Sequence, residues 1–116
     1  MSDVVIYHNP RCSKSRQTLS LLRSRGIEPR IVEYLKTPPD EKTLSGILLK
    51  LGIRPADLVR TKEDEFRELG LKDKANDPAA LIRVMTEHPI LIERPIVVNG
   101  DRARVGRPPE DVLEIL

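Results

Sequence analysis

The chain has 116 residues, of which 39% are hydrophobic and 33% are charged. This length and composition predict one compact domain over residues 1–116, with an almost wholly aliphatic core because the sequence holds one Phe, two Tyr and no Trp. A net charge of only +2 and so few aromatic side chains argue against a nucleic-acid surface. Any anion that the protein binds is therefore expected to be small.

The expected cellular setting follows from two features that the sequence lacks. The first seven residues have neither the basic region nor the long apolar region of a secretory leader, and no apolar run approaches the roughly 18 residues of a membrane span. The single cysteine, Cys12, cannot form an internal disulfide, which agrees with a reducing compartment. We expect a cytoplasmic monomer that makes no contact with a membrane.

The first third of the sequence predicts a β-α-β unit. An apolar run from Val4 forms a strand, which the polar residues before Cys12 end. A helix follows from Ser13 and stops at Gly26, a glycine that comes directly after basic residues. A second strand is expected within residues 28–34.

The middle of the sequence, about residues 38–90, predicts a helical insertion. Thr37 is the expected N-cap of its first long helix, and Gly52 ends that helix. Asp77 followed by a proline opens a second long helix. The shorter helical pieces are expected over residues 55–59 and 64–69, and the inward-facing apolar residues are expected to be Leu44, Ile47, Leu48, Leu51, Leu81, Ile82 and Met85.

The last third predicts a β-hairpin and a closing helix. An apolar strand over residues 96–98 meets Asn99-Gly100, the strongest two-residue hairpin signal, and residues 103–105 return antiparallel. A helix follows the prolines after Arg107. The residues expected on the inner face of this helix are Val112, Leu113 and Leu116.

The resulting order is β-α-β, a helical insertion and β-β-α. This order predicts an α/β protein with a mixed central sheet and fits a thioredoxin-like fold. Pro95 stands immediately before the third strand, where such folds place a proline that is often cis.

Cys12 lies between the end of the first predicted strand and the first turn of the following helix. Backbone N–H groups without intrahelical partners and the positive end of the helix are expected to surround its sulfur. Arg11, Lys14 and Arg16 add positive charge nearby, and cysteines of low pKa occur in such surroundings. The pattern predicts a reactive thiolate that faces a bound oxyanion. The alternative is an unreactive cysteine buried in the core.

Three arginines, Arg60, Arg94 and Arg107, stand where predicted elements begin or end. In a thioredoxin-like fold the position before Pro95 faces the cysteine turn, so the topology places Arg94 beside the sulfur. Arginine suits an oxyanion because its planar fork donates two hydrogen bonds. Topology does not place Arg60 or Arg107, and each of them could instead be an ordinary solvated arginine on the surface.

Two polar residues near Cys12 are further candidates. His8 could act as a general base for the thiol or cap the turn. Ser15 makes the motif Cys-x-x-Ser, which cannot resolve a disulfide, and its side chain could hydrogen-bond the thiolate or cap the helix. No Cys/His cluster has zinc-site spacing and no glycine-rich phosphate loop occurs, so neither a metal nor a bound cofactor is expected.

Residues 8–19 read His8-Asn9-Pro10-Arg11-Cys12-Ser13-Lys14-Ser15-Arg16-Gln17-Thr18-Leu19. This segment resembles the signature of the glutaredoxin-coupled arsenate reductase family, His-Asn-Pro-x-Cys followed by Ser-Arg-x-Thr-Leu. Residues 88–98 look like the second signature of the family and Arg107-Pro108 like the third, so the similarity covers nearly the whole chain. The sequence departs from the well-studied members of the family at Ser13-Lys14, where those members carry Gly-Thr.

The resemblance implies an arsenate reductase whose substrate is arsenate, with phosphate or sulfate as competing anions. Glutathione would be the co-substrate and glutaredoxin the protein partner. Because the chain has no second cysteine, the next thiol must come from outside. The roles that the resemblance implies are Cys12 as nucleophile, Arg60, Arg94 and Arg107 as the oxyanion site, and His8 and Ser15 as supports of the thiolate.

Two other functions are compatible with the same fold, since a fold alone does not determine function. One is a monothiol reductase that acts on glutathione mixed disulfides. The other is a transcription regulator that binds RNA polymerase and senses oxidants through a Cys-x-x-Cys pair, in which Ser15 here replaces the second cysteine.

Overall fold

The computed structural model describes residues 3–116, so the first two residues of the predicted domain lie outside the described part. The described residues fall into two compact units. One consists of the chain up to Thr37 together with Arg94–Leu116, and the other is Pro38–Glu93. That residues 1–116 form one domain with an insertion stays a prediction.

Within the described residues, the first unit is a four-stranded mixed sheet with one α-helix and a closing 3-10 helix. Its elements are β1 (Val4–His8), α1 (Ser13–Ser24), β2 (Arg30–Glu33), β3 (Ile96–Asn99), β4 (Arg102–Val105) and the 3-10 helix Pro109–Ile115. The strand order is β2-β1-β3-β4. β1 pairs in parallel with β2 and antiparallel with β3, which pairs antiparallel with β4. The predicted order of elements in this unit is confirmed.

The core of the first unit forms on one face of the sheet. Val4 and Ile6 alternate along β1, and Val97 lies opposite Ile6 on β3, so these side chains share a face. α1 and the closing 3-10 helix pack against each other and supply the other side of this core. The buried residues of the cluster are Val4, Ile6, Leu22, Val97, Val112 and Ile115.

The buried face of α1 carries two hydroxyl groups. Ser15, Thr18 and Leu22 recur at helical spacing, and all three are 0% exposed. The Thr18 hydroxyl donates to the carbonyl of Lys14 at 2.8 Å, and the Ser15 hydroxyl is hydrogen-bonded to the ring of His8 at 2.6 Å. These bonds offset the cost of removing both hydroxyls from water.

The closing segment differs from its prediction because Pro109–Ile115 is a 3-10 helix. A 3-10 helix has three residues per turn, so its buried positions recur every third residue. The prediction that Leu113 and Leu116 face inward is wrong, since Leu113 is half-buried and Leu116 is exposed. The buried positions are Pro109, Val112 and Ile115.

The hairpin turn lies one residue later than predicted. Asn99 pairs with Arg102, so the loop residues are Gly100 and Asp101. Of these two, only Gly100 has a positive φ, 62°, which fits a turn with glycine at its first position. Asn99 stays in β3 because its side-chain amide donates to the carbonyl of Ile115 at 2.6 Å and so ties the closing helix to the sheet.

The second unit is helical in its described structure, as predicted. Its elements are α2 (Glu41–Leu51), α3 (Pro55–Leu58), α4 (Asp64–Glu68), α5 (Pro78–Glu87) and the 3-10 helices Leu71–Lys74 and Pro89–Leu91. None of the helices within residues 3–116 is long and apolar enough to cross a membrane. The residues of α2 and α5 that are buried are Leu44, Ile47, Leu48, Leu81 and Met85, whereas Leu51 and Ile82 are half-buried.

The start of α2 corrects one prediction. Its N-cap is Asp40, whose carboxylate accepts the N–H of Thr43 at 2.7 Å, and the expected cap, Thr37, lies three residues before it. An aspartate cap satisfies an otherwise unpaired N–H of the first turn. Gly52 ends the helix with φ of 70°, as predicted.

Candidate active site

Cys12 occupies the N-cap position of α1 and is half-buried. Its N–H donates to the carbonyl of Asn9 at 2.9 Å, and its own carbonyl accepts the N–H of Arg16 at 3.0 Å, the first hydrogen bond of the helix. The sulfur therefore stands before the first helical turn, whose N–H groups have no partners within the helix. The predicted position of Cys12 is confirmed.

The surroundings of the sulfur favour its ionised form. Burial raises the pKa of the Cys12 thiol, but the backbone N–H of Ser15, the hydrogen bond and charge of the Arg94 side chain, and the N–H of Lys14 lower it. The lowering contributions prevail, so the pKa lies below its ordinary value. This direction is what a nucleophilic cysteine requires.

Two of the three predicted arginines contact the same place. Arg107 is exposed, yet its Nη2 lies 3.5 Å from the sulfur of Cys12 and its Nε donates to the carbonyl of Arg94 at 2.7 Å. The guanidinium of Arg94 is itself a hydrogen-bond donor to Cys12, and its Nε and Nη1 atoms are buried. The Arg94–Pro95 and Arg107–Pro108 peptide bonds are both cis. Cys12, Arg94 and Arg107 thus form one cluster.

Arg60 belongs to the second unit and has acidic partners there. Its Nε donates to Glu63 at 3.0 Å and its Nη1 to Glu93 at 2.6 Å. Its backbone N–H donates to the carbonyl of Leu91 at 2.7 Å, next to the bridge between Val59 and Ile92. Within its own unit Arg60 therefore joins three segments, and its role as an oxyanion ligand stays a prediction.

His8 and Ser15 form a buried pair at the base of the cysteine turn. The Ser15 hydroxyl accepts the N–H of Asn9 at 3.0 Å and is 2.6 Å from Nδ1 of His8. Burial lowers the pKa of His8, Glu33 opposes this, and nearby arginine charges lower it further. Nδ1 of a neutral imidazole can accept a hydrogen bond from the Ser15 hydroxyl, while the oxygen of the same hydroxyl accepts the backbone N–H of Asn9. Both residues thus hold the turn that carries Cys12.

Two further residues shape the site and were not singled out in the sequence. Asn9 is buried, and its side-chain oxygen accepts the N–H of Arg11 at 3.0 Å. An Asn-Pro dipeptide after a strand is a turn signal that points to such a role. Gly106 is buried directly before Arg107. The local signal for Gly106 is its place between a predicted strand and a candidate site arginine.

The cluster combines a thiol of lowered pKa with cationic and N–H donors. A tetrahedral oxyanion beside the sulfur would find the N–H groups of the first turn of α1 and the guanidinium groups of Arg94 and Arg107. Within residues 3–116 no group of three or more His, Cys, Asp and Glu side chains could hold a metal ion. The chemistry that these residues can support is attack by a thiolate on the central atom of an anion.

Comparison with known proteins shows similarity along nearly the whole chain. The uncharacterized protein YfgD of Escherichia coli is 55% identical over 97% of the chain and 96% of its own length. The arsenate reductase of Neisseria meningitidis serogroup B is 49% identical over the full length of both chains. The structure of the arsenate reductase from Vibrio cholerae matches with a TM-score of 0.94 and 52% identity, covering 97% of each chain.

These likenesses confirm the predicted thioredoxin-like α/β fold. The model of the ArsC family matches residues 7–115, which include the cysteine turn, Arg94 and Arg107. Because the relatives share about half of their residues with this chain along nearly its full length, the similarity is not limited to the cysteine turn. The chain belongs to the ArsC family.

Proposed function

We propose that the protein is an arsenate reductase in which Cys12 attacks arsenate and external thiols complete the reduction. The observation that carries the proposal is the cluster at the sulfur: a cysteine of lowered pKa, at the start of a helix, with Arg107 at 3.5 Å and Arg94 as a second donor. The names of relatives such as the Neisseria meningitidis arsenate reductase support the choice of substrate. Phosphate and sulfate would compete because they have the same tetrahedral shape and are also anions.

The first step forms a bond between the Cys12 sulfur and arsenic, and an arsenic–oxygen bond breaks as hydroxide leaves. Arg94 and Arg107 would stabilise the negative charge on the remaining oxygens. A glutathione thiolate then adds to arsenic and displaces a second hydroxide. Because the described cluster and the sequence hold no other cysteine, the protein itself cannot supply the electrons.

Glutaredoxin would complete the reaction by attacking the sulfur of the arsenic-bound glutathione. This step forms a disulfide between glutaredoxin and glutathione, and the sulfur–arsenic electron pair reduces As(V) to As(III). Water then releases arsenite and restores the Cys12 thiolate. Such external thiols are available in a reducing cytoplasm, where we place the protein as a monomer.

The remaining predicted residues enter the proposal in supporting roles. His8 and Ser15 would hold the loop so that the N–H groups of Ser15 and Lys14 meet the sulfur, which follows from their buried hydrogen bonds. Arg60 is kept as an oxyanion ligand on the resemblance alone. Glu63 and Glu93 would then hold the guanidinium of Arg60 in one orientation.

The decisive experiment is an assay of arsenite formation. Purified protein, arsenate, glutathione and a glutaredoxin are mixed, and arsenite is quantified by chromatographic separation of the arsenic species. We expect arsenite only when both thiol components and Cys12 are present, with Cys12→Ser as the matched control. Arsenite at background level with the native protein, or equal activity of the variant, would overturn the proposal. Turnover of a small glutathione mixed disulfide without arsenate would favour the monothiol reductase instead.

A further inference from the structure

Gly106 fills a space that admits no side chain. A Cβ atom at this position would lie 2.6 Å from the Oγ1 atom of Thr18 and 2.9 Å from the Cγ atom of Pro95. Real Cβ atoms essentially never come within 3.0 Å of a heavy atom outside their own and the adjacent residues, so the neighbours would have to shift. One neighbour is the ring of Pro95, which is closed onto the backbone and cannot turn aside as a flexible chain end does.

The requirement for glycine at this position comes from space and not from backbone conformation. Gly26, Gly52, Gly70 and Gly100 all have positive φ and no heavy atom within 4 Å of the place that a Cβ would take, whereas Gly106 has no positive φ and is tightly enclosed. Its N–H donates to the carbonyl of Pro95 at 2.9 Å. Gly106 thus holds the end of β4 against the segment that begins at Arg94.

Gly106 is enclosed by α1 and by the segment that begins at Arg94. Arg107, the next residue, contacts the same two parts of the chain. Thr18 lies on α1, the helix that Cys12 caps, and Pro95 follows Arg94 in the chain. The Arg107 guanidinium reaches from the carbonyl of Arg94 at 2.7 Å to the sulfur of Cys12 at 3.5 Å. The 3.5 Å distance is ordinary for a hydrogen bond from nitrogen to sulfur, so the guanidinium is hydrogen-bonded to both segments at once.

We propose that Gly106 is a positioning residue for Arg107: the missing side chain lets the end of β4 approach Thr18 and Pro95 closely enough for the Arg107 guanidinium to bridge the Arg94 carbonyl and the Cys12 sulfur. A methyl group would push this strand end away by several tenths of an ångström. The guanidinium would then be displaced from the Arg94 carbonyl, from the Cys12 sulfur or from both. The effect on turnover rests on the proposed arsenate reduction, whereas the effect on the thiolate does not.

The test compares Gly106→Ala with the native protein by the pH dependence of iodoacetamide labelling of Cys12. A cation that moves away from a thiolate stabilises it less, so we expect the apparent pKa of Cys12 to rise, by less than in Arg107→Ala, and labelling at neutral pH to slow by about threefold. Gly46→Ala is the matched control, because nothing lies within 4 Å of a Cβ at that position in α2. An unchanged pKa in folded Gly106→Ala overturns the proposal.

A double-mutant cycle separates positioning from general packing damage. In an Arg107→Ala background, Gly106→Ala is expected to leave the pKa of Cys12 unchanged, because the group that it displaces is already absent. An equal rise in both backgrounds would show that the methyl group disturbs the cysteine turn directly, and would overturn the proposal. Circular dichroism and thermal unfolding establish that each variant is folded.

If Gly106→Ala does not fold, the same cycle is run in Thr18→Ala, which removes two of the three close contacts but leaves the one to Pro95. A rise in the pKa relative to Thr18→Ala alone, lost when Arg107 is absent, supports the proposal, and no rise contradicts it. The outcomes also distinguish positioning by Gly106 from arsenate reduction. Coupling of Gly106 to the thiolate without arsenite formation refutes arsenate reduction only, and arsenite formation without coupling refutes positioning only.

Discussion

The Nη2 atom of Arg107 lies 3.5 Å from the sulfur of Cys12, although 95 positions separate the two residues in the chain. The same guanidinium donates from Nε to the carbonyl of Arg94 at 2.7 Å. One side chain therefore connects the start of α1 with the segment before β3. An oxyanion placed between these groups would meet a nucleophile and a two-point donor together.

Replacement of Arg107 tests this connection. Arg107→Ala is expected to raise the apparent pKa of Cys12, because a cation 3.5 Å from the sulfur is lost, and to raise the KM for arsenate by about tenfold or more, because a charged hydrogen bond to the anion is lost. In Arg107→Lys the pKa of Cys12 should return part of the way to its native value and the KM should return less, because lysine keeps the charge but lacks the planar pair of donors. Arg104→Ala, which removes a half-buried arginine of β4 that pairs with Glu114, is the control and should change neither quantity. Equal effects of the two alanine variants would contradict the assignment.

The lowered pKa of Cys12 predicts rapid, anion-sensitive alkylation. Iodoacetamide should label the folded protein with a midpoint below 9.0, the ordinary value of the thiol, and the protein unfolded in guanidinium should show the ordinary midpoint. Arsenate, phosphate or sulfate should slow labelling of the folded form by occupying the site. Chloride at equal ionic strength is the control, because it screens charge without the tetrahedral shape. Identical labelling with and without oxyanions would argue against an anion site at the sulfur.

The same pKa makes stability depend on pH in a definite direction. The folded-state pKa of Cys12 lies below the unfolded value of 9.0, so the thiolate stabilises the fold fully above 9.0 and this contribution is lost as the pH falls through the folded value. The Tm of the native protein minus that of Cys12→Ser should therefore increase as the pH is raised towards 9.0. Thermal unfolding of both proteins over a pH series measures this difference. A constant difference, or one that shrinks with rising pH, would show that the thiol pKa is not lowered by folding.

Ser15→Ala is expected to destabilise the first unit. The variant removes the hydroxyl that accepts the N–H of Asn9 and contacts Nδ1 of His8, and both partners are buried. Unsatisfied buried groups cost about 1–3 kcal/mol each, so the free energy of unfolding in urea should fall by about 2 kcal/mol. Ser20→Ala is the control because Ser20 is exposed on the same helix and gains the same helix propensity. Equal stability of the two variants would show that the pair with His8 contributes little.

Arg60 is the residue for which two roles make different predictions. As an oxyanion ligand, Arg60→Lys should raise the KM for arsenate about tenfold and leave the pH profile of Cys12 labelling nearly unchanged. If Arg60 is only a structural partner of Glu63 and Glu93, Arg60→Lys should lower the Tm without changing the KM. The proposed function predicts the raised KM. Arg54→Lys, which changes an exposed arginine paired with Asp57, is the control.

Much of the secondary structure was predictable because its signals are local. Gly52 ends α2 in a left-handed conformation, and Asp77 caps α5 just before a proline, as their positions in the sequence indicate. The error at the hairpin arose because a distant residue binds one of the predicted turn residues. Asn99 remains in β3 and shifts the turn because its amide binds the carbonyl of Ile115. A local turn signal contains no information on such a partner.

The candidate site divides in the same way. The position of Cys12 after a strand and before a helix is visible in the sequence, and it is sufficient to predict a thiol exposed to helix N–H groups. The burial of Ser15 and Thr18 was not predicted, because hydroxyl residues in a helix are ordinarily assigned to its solvent face. Their partners come from β1 and from the preceding turn of the helix.

By itself the sequence determined most of the strands and helices, their order and the position of the single thiol before a helix, because each depends on residues close together in the chain. Only the tertiary structure decided that Arg94 and Arg107 meet at the Cys12 sulfur and that Arg60 is held by two glutamates. The physical reason is that β-strand pairing and close packing, as at Gly106, set the distances between remote side chains. Those distances, more than residue identity, distinguish a guanidinium at the thiolate from one on the surface.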